Sequence, residues 1–247
     1  MSGFGTLLRK ELKESLRTYK LLIVLAVFFI LGLATPLVFY FLPSLVPGDE
    51  FPLPEFTAAE IAAEYISTIG QIGLIAAILV AMGSVARERE SGTAATTLVK
   101  PVGAGPFIAA KLTGLALVFI AGVALGSAGA YLYTTVLFED PGATSFAGAA
   151  LLAGLYLLIC LAVTVMFSSF FKNQLAAGGL ALIVMVALTA ISALPVMDEY
   201  APGALLTWAG NQAAGQNVSH WGSVIVGTSL VAIAGITGWQ VFKTREL

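Results

Sequence analysis

Apolar residues fall in long blocks separated by short polar or Pro/Gly-bearing breaks. Six blocks, residues 21–42, 65–86, 112–138, 146–171, 175–197 and 221–242, each reach the roughly 20 residues a helix needs to cross a bilayer core. The breaks are chemically distinct: Pro43, Pro47, Pro52 and Pro54 follow the first block, Asp140-Pro141-Gly142 the third, and Pro195 with Pro202-Gly203 the fifth. The pattern predicts an all-α polytopic membrane protein whose six transmembrane helices form one domain over residues 21–247. Residues 1–20 read differently. Phe4, Leu8, Leu12 and Leu16 recur every fourth residue beside Leu7, while Arg9, Lys10, Lys13, Glu14 and Arg17 fill the remaining arc. That is an amphipathic interfacial helix suited to the headgroup layer on the cytoplasmic side.

Composition agrees. Apolar residues make up 58% of the 247, charged residues only 11%, and the mean hydropathy is +0.94. A soluble domain carries about 25% charged residues, so there are too few here to wet its surface. The net charge of -2 says little until it is divided by position. Arg9, Lys10, Lys13, Arg17 and Lys20 precede the first span, and Arg87, Arg89, Lys100 and Lys111 lie between the second and third. Lys172 lies between the fourth and fifth, and Lys243 and Arg245 follow the sixth. In a six-span model these 12 Lys and Arg residues all fall on one face, while Asp49, Glu50, Glu55, Glu60, Glu64, Glu139, Asp140, Asp198 and Glu199 lie on the other. By the positive-inside rule both termini are cytoplasmic in a multi-pass protein of the cell (plasma) membrane. A span count wrong by one scatters the bases over both faces. The long, charged N-terminal stretch is unlike a signal-peptide n-region, so the first span reads as a retained anchor.

Several chemistries find no support. No G-x-x-x-x-G-K-[ST] is present, so the chain has no phosphate cradle of its own. The interiors of the predicted spans hold no Asp, Glu, Lys, Arg or His, which argues against an ion-coupled carrier or proton pump. There is no G-x-S-x-G elbow, and His220 beside Trp221 reads as an interfacial anchor. The single Cys160 sits in an apolar run, so neither an intrachain disulfide nor a thiolate metal cluster is expected. No catalytic residue and no metal site are assigned, and no nucleic-acid partner is expected.

The longest basic-face loop, residues 87–106, carries alternating charges at Arg87, Glu88, Arg89 and Glu90, which can pair locally and offer a salt-sensitive docking surface. Gly92 loosens the backbone, residues 93–99 can make a short helix, and Pro101, Gly103, Gly105 and Pro106 end it before Lys111 opens the third span. On spacing alone this is a solvated loop. The string Arg87-Glu88-Arg89-Glu90-Ser91-Gly92-Thr93, with Leu98, Pro101 and Lys111 after it, resembles the E-R-E-x-G-T, L-x-x-P and G-K pattern of permease subunits of type-2, exporter-like ABC transporters. Leu8-Arg9-Lys10-Glu11-Leu12 resembles that family's N-terminal R-K-E-L helix, and the order of six spans matches. The chain departs at Ala110, where the family usually has Gly, and at Ala94-Ala95-Thr96-Thr97, where larger apolar or acidic residues are common. The resemblance implies that residues 87–93 belong to or flank a coupling helix touching a separate ATPase subunit. That subunit would be present in two copies and hold ATP and Mg; this chain would bind no cofactor. A second six-span permease chain, identical or related, would complete the unit.

Within the spans, Gly122, Gly126 and Ala130 in the third and Ser223, Gly227 and Gly235 in the sixth form small-residue stripes, read as intrachain packing. Pro36 frees a carbonyl in the first span and should kink that helix, with Thr35 as a local partner. On the acidic face Thr57-Ala-Ala-Glu60 reads as a capping box leading into the second span. Residues 198–220 are too apolar for a free loop and too broken to cross; they suit a partly inserted outer element. By the resemblance, Leu205, Leu206 and Trp208 would help shape an outer gate. The expectation is an ATP-driven permease exporting an apolar or amphipathic substrate. A non-transport scaffold and an ion-coupled carrier or channel are the alternatives.

Overall fold

A computed structural model describes residues 3–45, 56–90 and 104–246. Among them there is no strand. The helices are α1 (Phe4–Arg17), α2 (Lys20–Leu45), α3 (Ala58–Ala81), α4 (Ala86–Glu90), α5 (Ala104–Leu137), α6 (Ala143–Phe170), α7 (Gln174–Ala190), α8 (Ala204–Ala213) and α9 (Trp221–Glu246). Six helical stretches are long and apolar enough to span a membrane, in the order the sequence predicts.

The hub is α6. It packs against α3, α5, α7, α8 and α9, and its Tyr156, Leu157, Ile159, Cys160 and Leu161 are fully enclosed. By contrast α2, α7 and α9 expose broad apolar faces, including Leu22, Ile30, Ile183, Val186, Ile225 and Ile233. In water such a surface would drive aggregation; in hydrocarbon it is the ordinary exterior.

Close helix contact comes from glycine. A Cβ on Gly32 of α2 would run into the carbonyl oxygen of Gly126 on α5, and one on Gly126 would lie 2.5 Å from the Phe28 carbonyl oxygen. Gly122 makes room for Val24 and Phe28 in the same seam. The small-residue stripe of the third span is thus intrachain packing, where van der Waals contact replaces the absent hydrophobic drive. The α9 stripe divides: Gly227 faces Ile159 of α6, while Gly235 faces open space.

Several details depart from the sequence reading. The second span is not continuous to residue 86: α3 stops at Ala81 and a turn at residues 82–85 precedes α4. The third begins at Ala104 rather than 112, because Pro106 falls in the first turn of α5, where its missing N–H is no loss. The fifth ends at Ala190 with a 3-10 turn over Ile191–Ala193, short of residue 197. Leu194, preceding Pro195, adopts extended backbone (φ -82°, ψ 126°), as the proline ring requires. The first runs unbroken through Pro36; Thr35 Oγ donates to the Leu31 carbonyl at 3.0 Å rather than to a carbonyl freed by the proline.

Turn chemistry follows the sequence closely elsewhere. Thr57 and Glu60 form the expected reciprocal box, Glu60 N–H to Thr57 Oγ at 3.3 Å and Thr57 N–H to Glu60 Oε2 at 2.9 Å. At the α5–α6 corner, Gly142 takes φ +91°, and Asp140 Oδ1 accepts from its N–H and from the Tyr131 hydroxyl at 2.8 and 3.0 Å. Among the described residues Tyr19, between α1 and α2, is the non-glycine residue with positive φ, +58°.

Candidate functional site

At the base-rich end, Lys111 sits on the second turn of α5, only 2% exposed. Its Nζ lies 3.1 Å from Glu11 Oε1 on α1 and 2.9 Å from Glu88 Oε1 on α4. Lys10 Nζ reaches the same Glu88 oxygen at 3.4 Å. The predicted spans themselves hold no charge; Lys111 stands one residue before the third, and because α5 starts at Ala104 the helix carries this ammonium into the bundle. Burying a lone ammonium is costly; two carboxylates in contact offset that cost and fix three helices in one geometry. The Phe107 ring, 5.0 Å from Nζ, adds a cation–π contact and stacks on Phe242 of α9.

The approach of α1 is set by Gly114, one turn beyond Lys111, where a Cβ would lie 3.1 Å from Glu11 Cβ. Leu7 and Ser15 are the buried positions of α1, with Leu8, Glu11 and Leu12 half-buried and Arg9 and Lys10 exposed. The face turned to the bundle is thus Leu7, Glu11 and Ser15, while Leu16 looks outward at 60% exposure.

A second device holds the start of α4. Ser168, near the end of α6, accepts from the N–H groups of Val85 and Ala86, both at 3.0 Å, and donates to the Met82 carbonyl at 2.8 Å. One hydroxyl thereby satisfies backbone groups stranded where α3 breaks. Arg89 donates to the Ser169 carbonyl at 2.7 Å, and Arg87 to Gln174 Oε1 at 3.0 Å. The charges expected to form a docking surface are partly spent on these internal bonds. Glu88 and Arg89 are half-buried, whereas Arg87 and Glu90 remain exposed.

Of the residues singled out in the sequence, Lys10, Glu11, Glu88 and Lys111 converge on one network, and Arg87 and Arg89 brace it. Ser91, Gly92, Thr93, Leu98 and Pro101 lie outside the described residues. Leu205, Leu206 and Trp208 belong to α8, which packs on α3 and α6 apart from this network. Leu205 and Trp208 are buried, Trp208 meets Trp221 edge-on at 5.2 Å between centroids, and Leu206 lies over Gly70. Sequence reasoning missed Ser168, Ser169 and Gln174; the consecutive hydroxyls ending an apolar helix were the available signal. A further cavity of about 570 Å³ lies between α5 and α6, walled by residues such as Val123, Phe146 and Leu158, with Ser127 and Tyr131 among the few hydroxyls.

A family model described as "ABC-2 family transporter protein" matches residues 6–207. The chain is also 28% identical over 213 residues to the uncharacterized transmembrane protein YxlG of Bacillus subtilis (strain 168), an alignment covering 82% of this chain and 81% of that protein.

Proposed function

The chain belongs to the ABC-2 transporter family as a membrane transport subunit, and on that premise we propose that it is the permease half of an ATP-driven exporter. Two copies of a separate ATPase bind its base-rich end and supply ATP and Mg; a second six-span chain, identical or related, completes the path. In this reading the base-rich end and both termini face the cytoplasm across the plasma membrane, an orientation the charge count supports.

The observation that carries this reading is the meeting of Glu11, Glu88 and Lys111. They come from three separated fragments, each resembling a family motif, and join around one ammonium. A push on residues 87–99 reaches α4, passes through Glu88 to Lys111 and α5, and through Glu11 to α1. The Ser168 contacts carry it to α6, the helix on which most of the bundle is packed. No covalent chemistry is needed from this chain. The apolar wall of the α5–α6 cavity supports an apolar or amphipathic cargo.

The test is purification in mild detergent with mass identification of what stays attached, followed by ATP hydrolysis and vesicle flux. The expected result is an ATPase of the ABC class retained in two copies, and flux that needs ATP. Full flux by this chain alone without nucleotide overturns the reading, and so does the absence of any retained ATPase from a native membrane extract.

A further inference from the structure

We propose that the elbow between α1 and α2 is a binding site for one anionic phospholipid, with its headgroup on Lys13 and Arg17 and one acyl chain in the groove below. The inference uses only the membrane-spanning character of the chain and is independent of the motor reading.

Lys13 and Arg17 are four residues apart on α1, so their side chains share one face, and both are exposed. Directly beneath, an apolar groove of about 390 Å³ is lined by Leu16, Tyr19, Leu22, Leu25 and Phe29, with Leu125 of α5 as its far wall. Leu16 lines both this groove and the surface bearing Arg9, Lys10, Lys13 and Arg17 with Glu14 among them, basic on balance, so charge and grease are contiguous. From Leu21 to Phe29 the groove follows α2 for roughly 12 Å at the helical rise, a depth suited to the upper part of an acyl chain. Its outer lip consists of side chains left open, Leu16 at 60% and Leu22 at 63% exposure. An ammonium and a guanidinium over an apolar slot at the head of a spanning helix complement a phosphodiester with an uncompensated negative charge on a lipid tail; a zwitterionic headgroup matches less well.

Tyr19 stands at the mouth. It holds φ +58°, a conformation unfavourable for a residue other than glycine, and it is 66% exposed, so internal packing does not explain its ring. An aromatic body with a polar tip suits the level where headgroup meets tail.

The experiment uses the full chain in nanodiscs of phosphatidylcholine with or without phosphatidylglycerol, counting retained lipid by native mass spectrometry and recording Tm by tryptophan fluorescence. One phosphatidylglycerol per chain should be retained in preference to phosphatidylcholine, with a higher Tm. Lys13→Gln with Arg17→Gln should weaken retention roughly thirtyfold, taking about 1 kcal/mol for each base. Ala26 also lines the groove, so Ala26→Trp, or Ala26→Leu if the larger residue impairs folding, fills it without touching charge and should displace the lipid equally. Equal retention of both lipids overturns the proposal. So does loss in the charge variant alone, which marks general surface attraction, or displacement of the lipid by millimolar glycerol phosphate, which marks a free-phosphate site.

Discussion

Lys111 Nζ stands 2.9 Å from Glu88 Oε1, joining the second turn of α5 to the five-residue helix α4 that precedes residues 91–103. The bond matters because of where it lies. Glu88 is 15% exposed and Lys111 3% at the side chain, so solvent screens the pair poorly, and removing Lys111 takes the buried cation away from Glu11 and Glu88 together.

Lys111→Met should therefore destabilise the base-rich end by about 3 kcal/mol, the scale for an unpaired buried charge. Lys111→Arg should restore part of it. Combining Lys111→Met with Glu11→Gln and Glu88→Gln should recover more than half of the loss, because no charge is then left alone. Thermal unfolding of the purified chain, with limited proteolysis of α1 as a local readout, checks the series.

Ser168→Ala leaves the Val85 and Ala86 N–H groups without their acceptor, a loss of about 1–3 kcal/mol. Amide exchange over residues 83–88 should accelerate while that of α6 stays unchanged; uniform acceleration would point to global loosening instead.

Glu90 is exposed and Glu88 is tied inward, so they should separate docking from folding. Glu90→Lys should lower ATPase retention with Tm unchanged, whereas Glu88→Lys should lower both. Equal retention in wild type and Glu90→Lys, measured by pull-down at low salt, would remove Glu90 from the contact.

Two glycines offer an internal control. Gly126→Ala places a methyl 2.5 Å from the Phe28 carbonyl oxygen and should disrupt the α2–α5 seam, with a clear drop in Tm. Gly235→Ala meets nothing within 4 Å and should be neutral or slightly stabilising, since alanine favours helix by about 1 kcal/mol.

Much of this architecture was legible in the sequence. Hydrophobic length and the one-sided placement of Lys and Arg predict six spans, because lipid enforces both. The Thr57–Glu60 box and the Gly122–Gly126 stripe were equally readable, since each depends on residues one turn apart. What escaped depends on partners far along the chain. Nothing near Ser168 indicates that its hydroxyl serves the turn at residues 82–85, and nothing near Lys111 indicates that helix begins early enough to draw it inside. Pro106 and Pro195 show the same limit: one opens a helix and the other closes one, and composition alone does not separate the roles. The docking reading of residues 87–90 treated them as surface because alternating charge is usually solvated. Here Glu88 finds its cation on α5.

Cys160, the chain's single thiol, is sealed at the middle of α6. The unmodified polypeptide should consequently be silent toward maleimide reagents, so that a cysteine introduced at α1 or α4 can carry a fluorophore or spin label without first deleting the native one. The reverse also follows: any alkylation of the wild-type chain registers a moment when the hub itself has come apart, giving a built-in clock for its opening.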